Sequence, residues 1–267
     1  MQGLVRFTYL WLLFCFTQSC YEPVEACLDP LASNYDVTTD NICDACCTYP
    51  PIAYELKHML ADSTITFGVV LTNNINDTFI LLDQAFYLHR VHLYDIDSNE
   101  IPLLDSISVI LSNESVKFAD DLVVVNKNNA LISGLNAYRT DKDIHSMKIL
   151  FGVDDLFNQI DIAKLAGTSS LIPQEELYDT IKNKYFSAFY KFVAGPELKD
   201  TLSIHLEQDA SYTIVFEKPI AINRGQVLNV PFTIDYDILF KDVEFGSGDI
   251  IKIKNQLEAN IKNFIHE

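Results

Sequence analysis

Tryptophan is nearly absent from this 267-residue chain: the one indole, Trp11, falls in the first apolar run, so residues 20–267 contain none. Basic residues are also scarce, with 19 Lys and Arg against 37 Asp and Glu. Residues 1–19 hold Arg6 and no acid, so the remainder carries 18 − 37 = −19. That balance argues against nucleic acid and anionic lipid head groups as partners, because both need a cationic surface. Beyond the first run, no apolar stretch approaches the roughly 20 residues that span a bilayer. No G-x-S-x-G elbow, P-loop, H-E-x-x-H or dinucleotide fingerprint occurs. Acid pairs such as Asp120-Asp121 and Glu175-Glu176 are what any chain with 37 acids shows. They identify no glycoside chemistry without a carboxylate separation, which leaves an unrecognised hydrolase as a minor alternative.

The first twenty residues do carry a signal. Arg6 precedes an apolar stretch of residues 7–16 that ends at Thr17-Gln18-Ser19-Cys20, the layout of a secretory leader. Ser19 is the small residue that a lipoprotein peptidase requires before a lipidated cysteine, whereas bulky Phe14 precedes Cys15. The expectation is a signal peptide over 1–19 and a lipid on Cys20, with plain secretion as the alternative. Tyr21-Glu22-Pro23-Val24-Glu25 resembles the acidic segment that sends Bacteroidetes lipoproteins to the outer face of the outer membrane, and reads equally as a polar tether.

The other four cysteines, Cys27, Cys43, Cys46 and Cys47, all fall within residues 27–47. An exported compartment permits disulfides. A bond between adjacent Cys46 and Cys47 would be strained, so Cys27 and Cys43 are expected to bridge to those two, in either order. Zinc is the rival, since Cys43-x-x-Cys46 has ligand spacing. Asp29, Asn34, Asp36 and Asp40 add oxygens of the type calcium prefers, or serve as turn residues. Cys27, Asp29, Ala32, Asn34, Tyr35, Asp36, Cys47 and Tyr49 together resemble a short C-x-D-x-x-A-x-N-Y-D…C-x-Y segment found in many Bacteroidetes surface proteins. Residues 20–50 therefore read as a lipid tether and a stapled spacer.

From residue 51 onward the dominant period is two. Ile65, Phe67, Val69 and Leu71 share one face of a predicted strand over 64–71. Met147, Ile149, Phe151 and Val153 do so over 145–153, Leu202, Ile204 and Leu206 over 201–207, and Tyr212, Ile214 and Phe216 over 211–216. Leu228, Val230, Phe232 and Ile234 complete the set, with Pro231 placing that strand at an edge. The fold class is mainly β, an antiparallel β-sandwich over 51–267. Residues 249–264 add a C-terminal amphipathic helix, with Ile250, Ile253, Leu257, Ile261 and Phe264 on one face and Ser247 or Asp249 as its cap. Residues 154–184 lack alternation. An irregular crossing of that length inside a β domain is where function concentrates.

An ordered series of motifs then resembles the MbnP-like family. Phe86-Tyr87-Leu88-His89-Arg90-Val91-His92-Leu93-Tyr94 is similar to its early Tyr-Tyr-Leu strand, and Gly152-Val153-Asp154 followed by Asn158 to its Gly-Val-Asp strand end. Leu202-Ser203-Ile204-His205-Leu206 resembles a strand containing His, and Ile234-Asp235-Tyr236-Asp237-Ile238 and Asn260-Ile261-Lys262-Asn263-Phe264 resemble the closing motifs. The resemblance spans roughly residues 63–265. It implies a β-sandwich surface lipoprotein related to copper-binding proteins of methanotrophs, in which His side chains and a Trp oxidised to kynurenine hold copper beside a di-haem enzyme. This chain departs from that pattern, because Tyr178-Asp179-Thr180-Ile181 stands where the family has Tyr-Trp-x-Trp. A kynurenine site is thereby excluded beyond Trp11.

What remains of a copper site is His205, on the polar face of its strand with Ser203 and Glu207, with His89 or His92 as a partner. A regular strand puts His89 and His92 on opposite faces, His89 with Tyr87, Val91 and Leu93, where it reads as a satisfied core histidine. His145 opens the apolar face of its own strand. The leading expectation is a lipid-anchored cell-envelope binding or interaction protein without catalytic activity, facing the cell exterior and accessory to an outer-membrane protein partner. A carrier of copper or another metal is the alternative.

Overall fold

The computed structural model describes residues 22–111, 114–162, 165 and 171–267; Cys20 and the leader over 1–19 lie outside them. The longer strands are β1 (Pro51–Leu60), β2 (Thr78–Tyr94), β3 (Ser106–Leu111), β4 (Glu114–Ala119), β5 (Val123–Asn126), β6 (Leu131–Ala137), β7 (Ile144–Phe151), β8 (Ala188–Ala194), β9 (Asp200–Leu206), β10 (Ala210–Ile220) and β11 (Leu228–Asp235). Two helices follow, α1 (Tyr236–Leu239) and α2 (Ile250–Asn260).

Two sheets make the sandwich. In β9, β10 and β11 the apolar alternates named above face one continuous core, all buried except Leu202, which is partly so. The smaller sheet runs β6-β1-β11, with Ile265–His266 on its edge. Its β1 and β11 are parallel, Leu228 opposite Ile52 through Asp235 opposite Met59, which corrects a wholly antiparallel sandwich. The whole larger sheet separates these strands in sequence, and a connection of that length leaves either direction open. The outer flank of β11 is paired only at Thr233 and Ile234, so Pro231 does take an edge position.

The larger sheet is organised by β2. Strands β7 and β8 both run antiparallel to it, β7 against residues 88–94 and β8 against residues 80–86. They meet at Tyr87, whose carbonyl accepts from Gly152 N at 2.8 Å and whose N–H donates to Ser187 O at 3.1 Å. Both groups of one strand residue point to one edge, so β7 and β8 lie end to end along that edge. Beyond them, β9 and β10 pair with β8 and β7 and extend the sheet in the same broken fashion. The 34 residues between Gly152 and Ser187 thus leave a single strand line and return to it. Gly152 has φ +97°, and a Cβ there would lie 2.6 Å from Ser187 Oγ, so only glycine lets the two ends close.

Several expectations change. Residues 64–71 form two short strands, Ser63–Thr64 and Val70–Thr72, separated by a turn at Gly68 (φ +79°), and Val69 is 43% exposed. In β2, Arg90 has φ +53°, and the register against β7 slips between His89 and His92. Asp121 Oδ2 accepts from Val91 N at 2.8 Å within this bulge. Leu88 and Val91 both enter the main core, so the bulge reverses the side-chain parity. A second slip, between Ile144 and Ser146, turns Ile144 inward in the place expected for His145. Helix α2 is capped by Asp249, whose Oδ1 accepts from Ile251 N and Lys252 N. It buries Ile253 and Leu257, and Ile261 and Phe264 follow it into the core, but Ile250 stays 43% exposed.

The cysteine-rich segment is docked. Cys27 bridges Cys47, and Cys43 pairs with Cys46, which selects among the open pairings and favours disulfides over zinc. Asp29 Oδ2 accepts from Arg139 Nε at 2.8 Å and from the Tyr49 hydroxyl at 2.8 Å, and the Arg139 guanidinium lies 5.5 Å over the Tyr49 ring. A hydrogen bond from Leu31 N, with smaller contributions from Tyr49 and Arg139, holds the Asp29 carboxyl below the usual carboxylate range against the opposing effect of burial. Gly225 (φ +71°) lets the β10–β11 loop close on the segment, since a Cβ there would come within 3.0 Å of Ala32 O.

One core residue conflicts with its surroundings. Gln84 is 1% exposed opposite Tyr190 in β8, and among the described residues neither atom of its amide has a partner; the hydroxyls of Tyr190 and Tyr212 have none there either. Removing a buried amide in favour of an apolar side chain of similar shape is neutral or stabilising. Gln84→Met is expected to raise the stability read from a urea midpoint by about 1 kcal/mol. A loss of stability instead would show that the amide is satisfied inside the core.

Candidate functional site

The excursion from Gly152 to Ser187 builds a second layer on the outer face of the larger sheet. Tyr87 and Phe189 of the sheet pack there against Val153, Phe157, Leu177 and Tyr185 of the excursion and Val109 of the β3–β4 hairpin. The sheet is therefore buried on both faces at this point, and residues 86–89 of β2 are all buried. Arg90 holds the start of the excursion through an ion pair with Asp154.

Three tyrosines connect the sheet to the surface. Tyr87 meets Tyr185 edge to face at 5.9 Å, and Tyr185 meets Tyr178 at 5.1 Å. The Tyr185 hydroxyl donates to Leu171 O at 2.5 Å, and the Tyr87 hydroxyl accepts from Gln174 N at 3.2 Å. Burial pushes the Tyr87 phenol up to about 12 and raises Tyr185 further, so both stay neutral. Tyr178 and Tyr185 face each other across a small hairpin, Tyr178–Asp179 against Lys184–Tyr185. Asp179 Oδ1 closes its turn by accepting from Ile181 N and Lys182 N, and Asn183 takes the left-handed conformation (φ +51°). Ile181 at the tip is 92% exposed.

Between this hairpin and residues 157–162 lies a cleft of about 480 Å³. Phe157, Ile160, Tyr178 and Tyr185 supply its apolar lining, and Asn158, Asp161, Thr180 and Asn183 its polar groups. Asn158 is fixed by its carboxamide oxygen, which accepts from Tyr185 N at 2.8 Å. A smaller hollow of about 240 Å³ lies beside Asp83 and Phe189, where Lys127 pairs with Asp83 at 3.3 Å.

The predicted metal ligands are not gathered. His205 faces outward as expected, but its ring is held against Phe186 at 4.5 Å and Phe189 at 5.2 Å, with burial lowering its pKa and a hydrogen bond to the Glu176 backbone opposing. His205 pairs with Phe189 and Phe189 with Ala85, so His205 and His89 lie two strands and four residues apart, about 16 Å. His92 lies farther along the same strand and places Nδ1 2.7 Å from Glu100 Oε1. The bulge puts His89 and His92 on one face, correcting the opposite faces expected of a regular strand. His89 sits beneath the excursion with its ring 5.0 Å from Phe157, and its Nε2 has no partner among the described residues, so it is not the satisfied core histidine expected. Among the described residues no three His, Cys, Asp or Glu side chains converge as metal ligands. The oxygens of the cysteine-rich segment likewise serve separate backbone groups, some within a turn and some across the segment. Asp29 accepts from Leu31 N, Asp36 from Thr38, Asp40 from Val24 N, and Asn34 bonds Thr48 N and Cys46 O.

The sequence reading located the crossing but not the cleft. Its residues, Tyr178, Tyr185, Asn158, Asp161, Thr180 and Asn183, share no spacing that marks chemistry. The available signal was Phe86-Tyr87-Leu88, an unbroken apolar run that implies cover on both faces of β2.

Comparison with known proteins adds a likeness in outline. Among solved structures, MbnP from Methylosinus trichosporium matches with a TM-score of 0.46 and 10% sequence identity, over 74% of this chain and 79% of that one. A match of that depth assigns neither family nor ligand. No protein-family model matches the chain, and no curated protein matches it in sequence.

The buried histidine has a pH consequence. Burial, with a smaller contribution from Arg90, lowers His89 to about 3, below the unfolded value near 6.5. The unfolded chain then binds the proton that the folded chain refuses. Stability from this group is full above about pH 6.5 and falls as pH drops toward 3, by about 1 kcal/mol per pH unit. His89→Leu is expected to lose less stability than the unmodified chain between pH 6.5 and 4.5, measured by urea unfolding. An equal loss in both would contradict a neutral, buried His89.

Proposed function

We propose that this chain is a non-catalytic binding protein of the cell envelope, lipid-anchored at Cys20, that uses the excursion on the larger sheet as its recognition surface. The observation that carries this reading is the break at Tyr87: a continuous strand line is interrupted to present a fixed, aromatic and amide-lined cleft. Binding sites built on a rigid sheet hold their geometry better than free loops. The docked cysteine-rich segment supports the anchored arrangement. Cys20 lies five residues before the Glu25–Ala26 strand, so little slack separates a lipid from the sandwich. The segment covers the end where β1 begins and β10 ends, and β7 runs about 27 Å from there to the excursion. An anchored molecule thus holds its cleft at a set height above the bilayer. Outward orientation and service to an outer-membrane partner are parts of this proposal.

Fractionation of cells expressing the full chain tests the anchor. The unmodified protein is expected in the membrane fraction and Cys20→Ser in the soluble envelope fraction; an unchanged distribution would sink the proposal. Arg139→Ala tests the docking. Limited proteolysis within residues 22–50 should then accelerate severalfold with little change in the main unfolding transition, because a local opening needs no global one. Equal cleavage rates would show that Asp29 and Tyr49 do not hold the segment in place.

A further inference from the structure

The cleft beneath the 178–185 hairpin has a chemistry that narrows its ligand. Among the described residues, Asp161 is the one carboxylate that lines it, and no Lys or Arg does. Among the described residues, Lys182 and Lys184 nearby are engaged, with Asp179 at 3.7 Å and Glu207 at 2.9 Å. In a chain of net charge −18 this disfavours an anion. One carboxylate among amides and a hydroxyl is also too few for a hard cation, which takes about six oxygen ligands. The lining suits a neutral molecule that has an apolar face and many hydroxyls together.

A pyranose has that form. Its axial C–H bonds make an apolar patch that rests on an aromatic face, where the ring's negative quadrupole meets their positive edge. Its hydroxyls point outward, where they give and take hydrogen bonds. We infer that the cleft binds a short neutral saccharide, with Tyr178 as the stacking face and Asn158, Thr180 and Asn183 as hydroxyl partners. This assignment rests on the binding role proposed above and names its ligand class.

The site is organised before any ligand arrives. Tyr178 is held edge to face on Tyr185 at an interplanar angle of 72°. Tyr185 is anchored by its bond to Leu171 O and by Tyr87 within the sheet. The cleft's volume, about 480 Å³, falls in the range of small-molecule sites. A ring already fixed loses little freedom on stacking, which favours affinity for a small, strongly hydrated ligand.

Saturation-transfer NMR and calorimetry on the full mature chain decide the matter, with glucose, galactose, mannose, N-acetylglucosamine and their β-linked dimers as probes and glucuronate as the anionic control. At least one neutral sugar should bind, and Tyr178→Ala should weaken it about tenfold, the loss of one stacked ring. Tyr178→Phe should bind nearly as the unmodified chain does. Thr180→Val removes an exposed hydroxyl, and Asn183→Gly removes an amide while keeping the left-handed backbone, so both test the polar partners without endangering the fold. Each should weaken binding severalfold. Failure of every neutral sugar to bind, tighter binding of glucuronate, or binding indifferent to Tyr178→Ala and Thr180→Val would each overturn the saccharide assignment. Membrane retention through Cys20 is read independently, so loss of the sugar alone leaves the anchored binding role standing.

Discussion

The rest of this structure depends on the backbone of Tyr87. Its carbonyl receives the end of β7 through Gly152 N and its N–H engages the start of β8 through Ser187 O, so two separate strands act as one against β2. A sheet interrupted for 34 residues would ordinarily leave unpaired peptide groups in its interior, at a cost of one lost hydrogen bond for each. Here the break costs almost no pairing, because Gly152 lets the two ends close to contact. The excursion is free to vary in shape while the sheet beneath stays intact. The Tyr87 side chain continues the same logic, supporting Tyr185 and through it Tyr178 at the cleft.

How much of this was legible depended on whether a strand had one buried face or two. Strands β10 and β11 alternate cleanly, and Tyr212, Ile214, Phe216, Leu228, Val230, Phe232 and Ile234 all point inward as the period of two requires. In β2 the period fails twice. Burial under the excursion removes the polar alternates around Tyr87, and the positive φ at Arg90 reverses the parity between His89 and His92. Neither is encoded in residue type, since arginine does not announce a left-handed conformation. The parallel pairing of β1 and β11 was likewise hidden, because strand direction is set by long connections rather than by side chains. The cleft escaped because its residues come together only when the hairpin folds back over Phe157 and Asn158.

The histidines show the limit of reading ligands from a motif series. His205 keeps the face expected of it, yet Phe186 and Phe189 occupy its surroundings and the nearest proposed partner is about 16 Å away. His89 is buried for packing against Phe157, at an electrostatic cost that lowers its pKa to about 3. The acidic surface has a parallel explanation. Many of its carboxylates close turns, as Asp95, Asp179 and Asp249 do by accepting from backbone N–H groups two to four residues on. Apparent ligand chemistry of this kind is therefore local structure, and the cleft draws on the amides, hydroxyl and tyrosines instead.

Native-state amide hydrogen exchange at Tyr87 and Gly152 addresses the junction directly. If the two strand ends are joined through Tyr87 as a permanent part of the sheet, both amides should exchange only with global unfolding, at the rate of the core amides of β8, while residues 180–183 exchange far faster. Exchange of Tyr87 and Gly152 together with the hairpin, at its faster rate, would contradict a closed strand line and with it a cleft held on a rigid base.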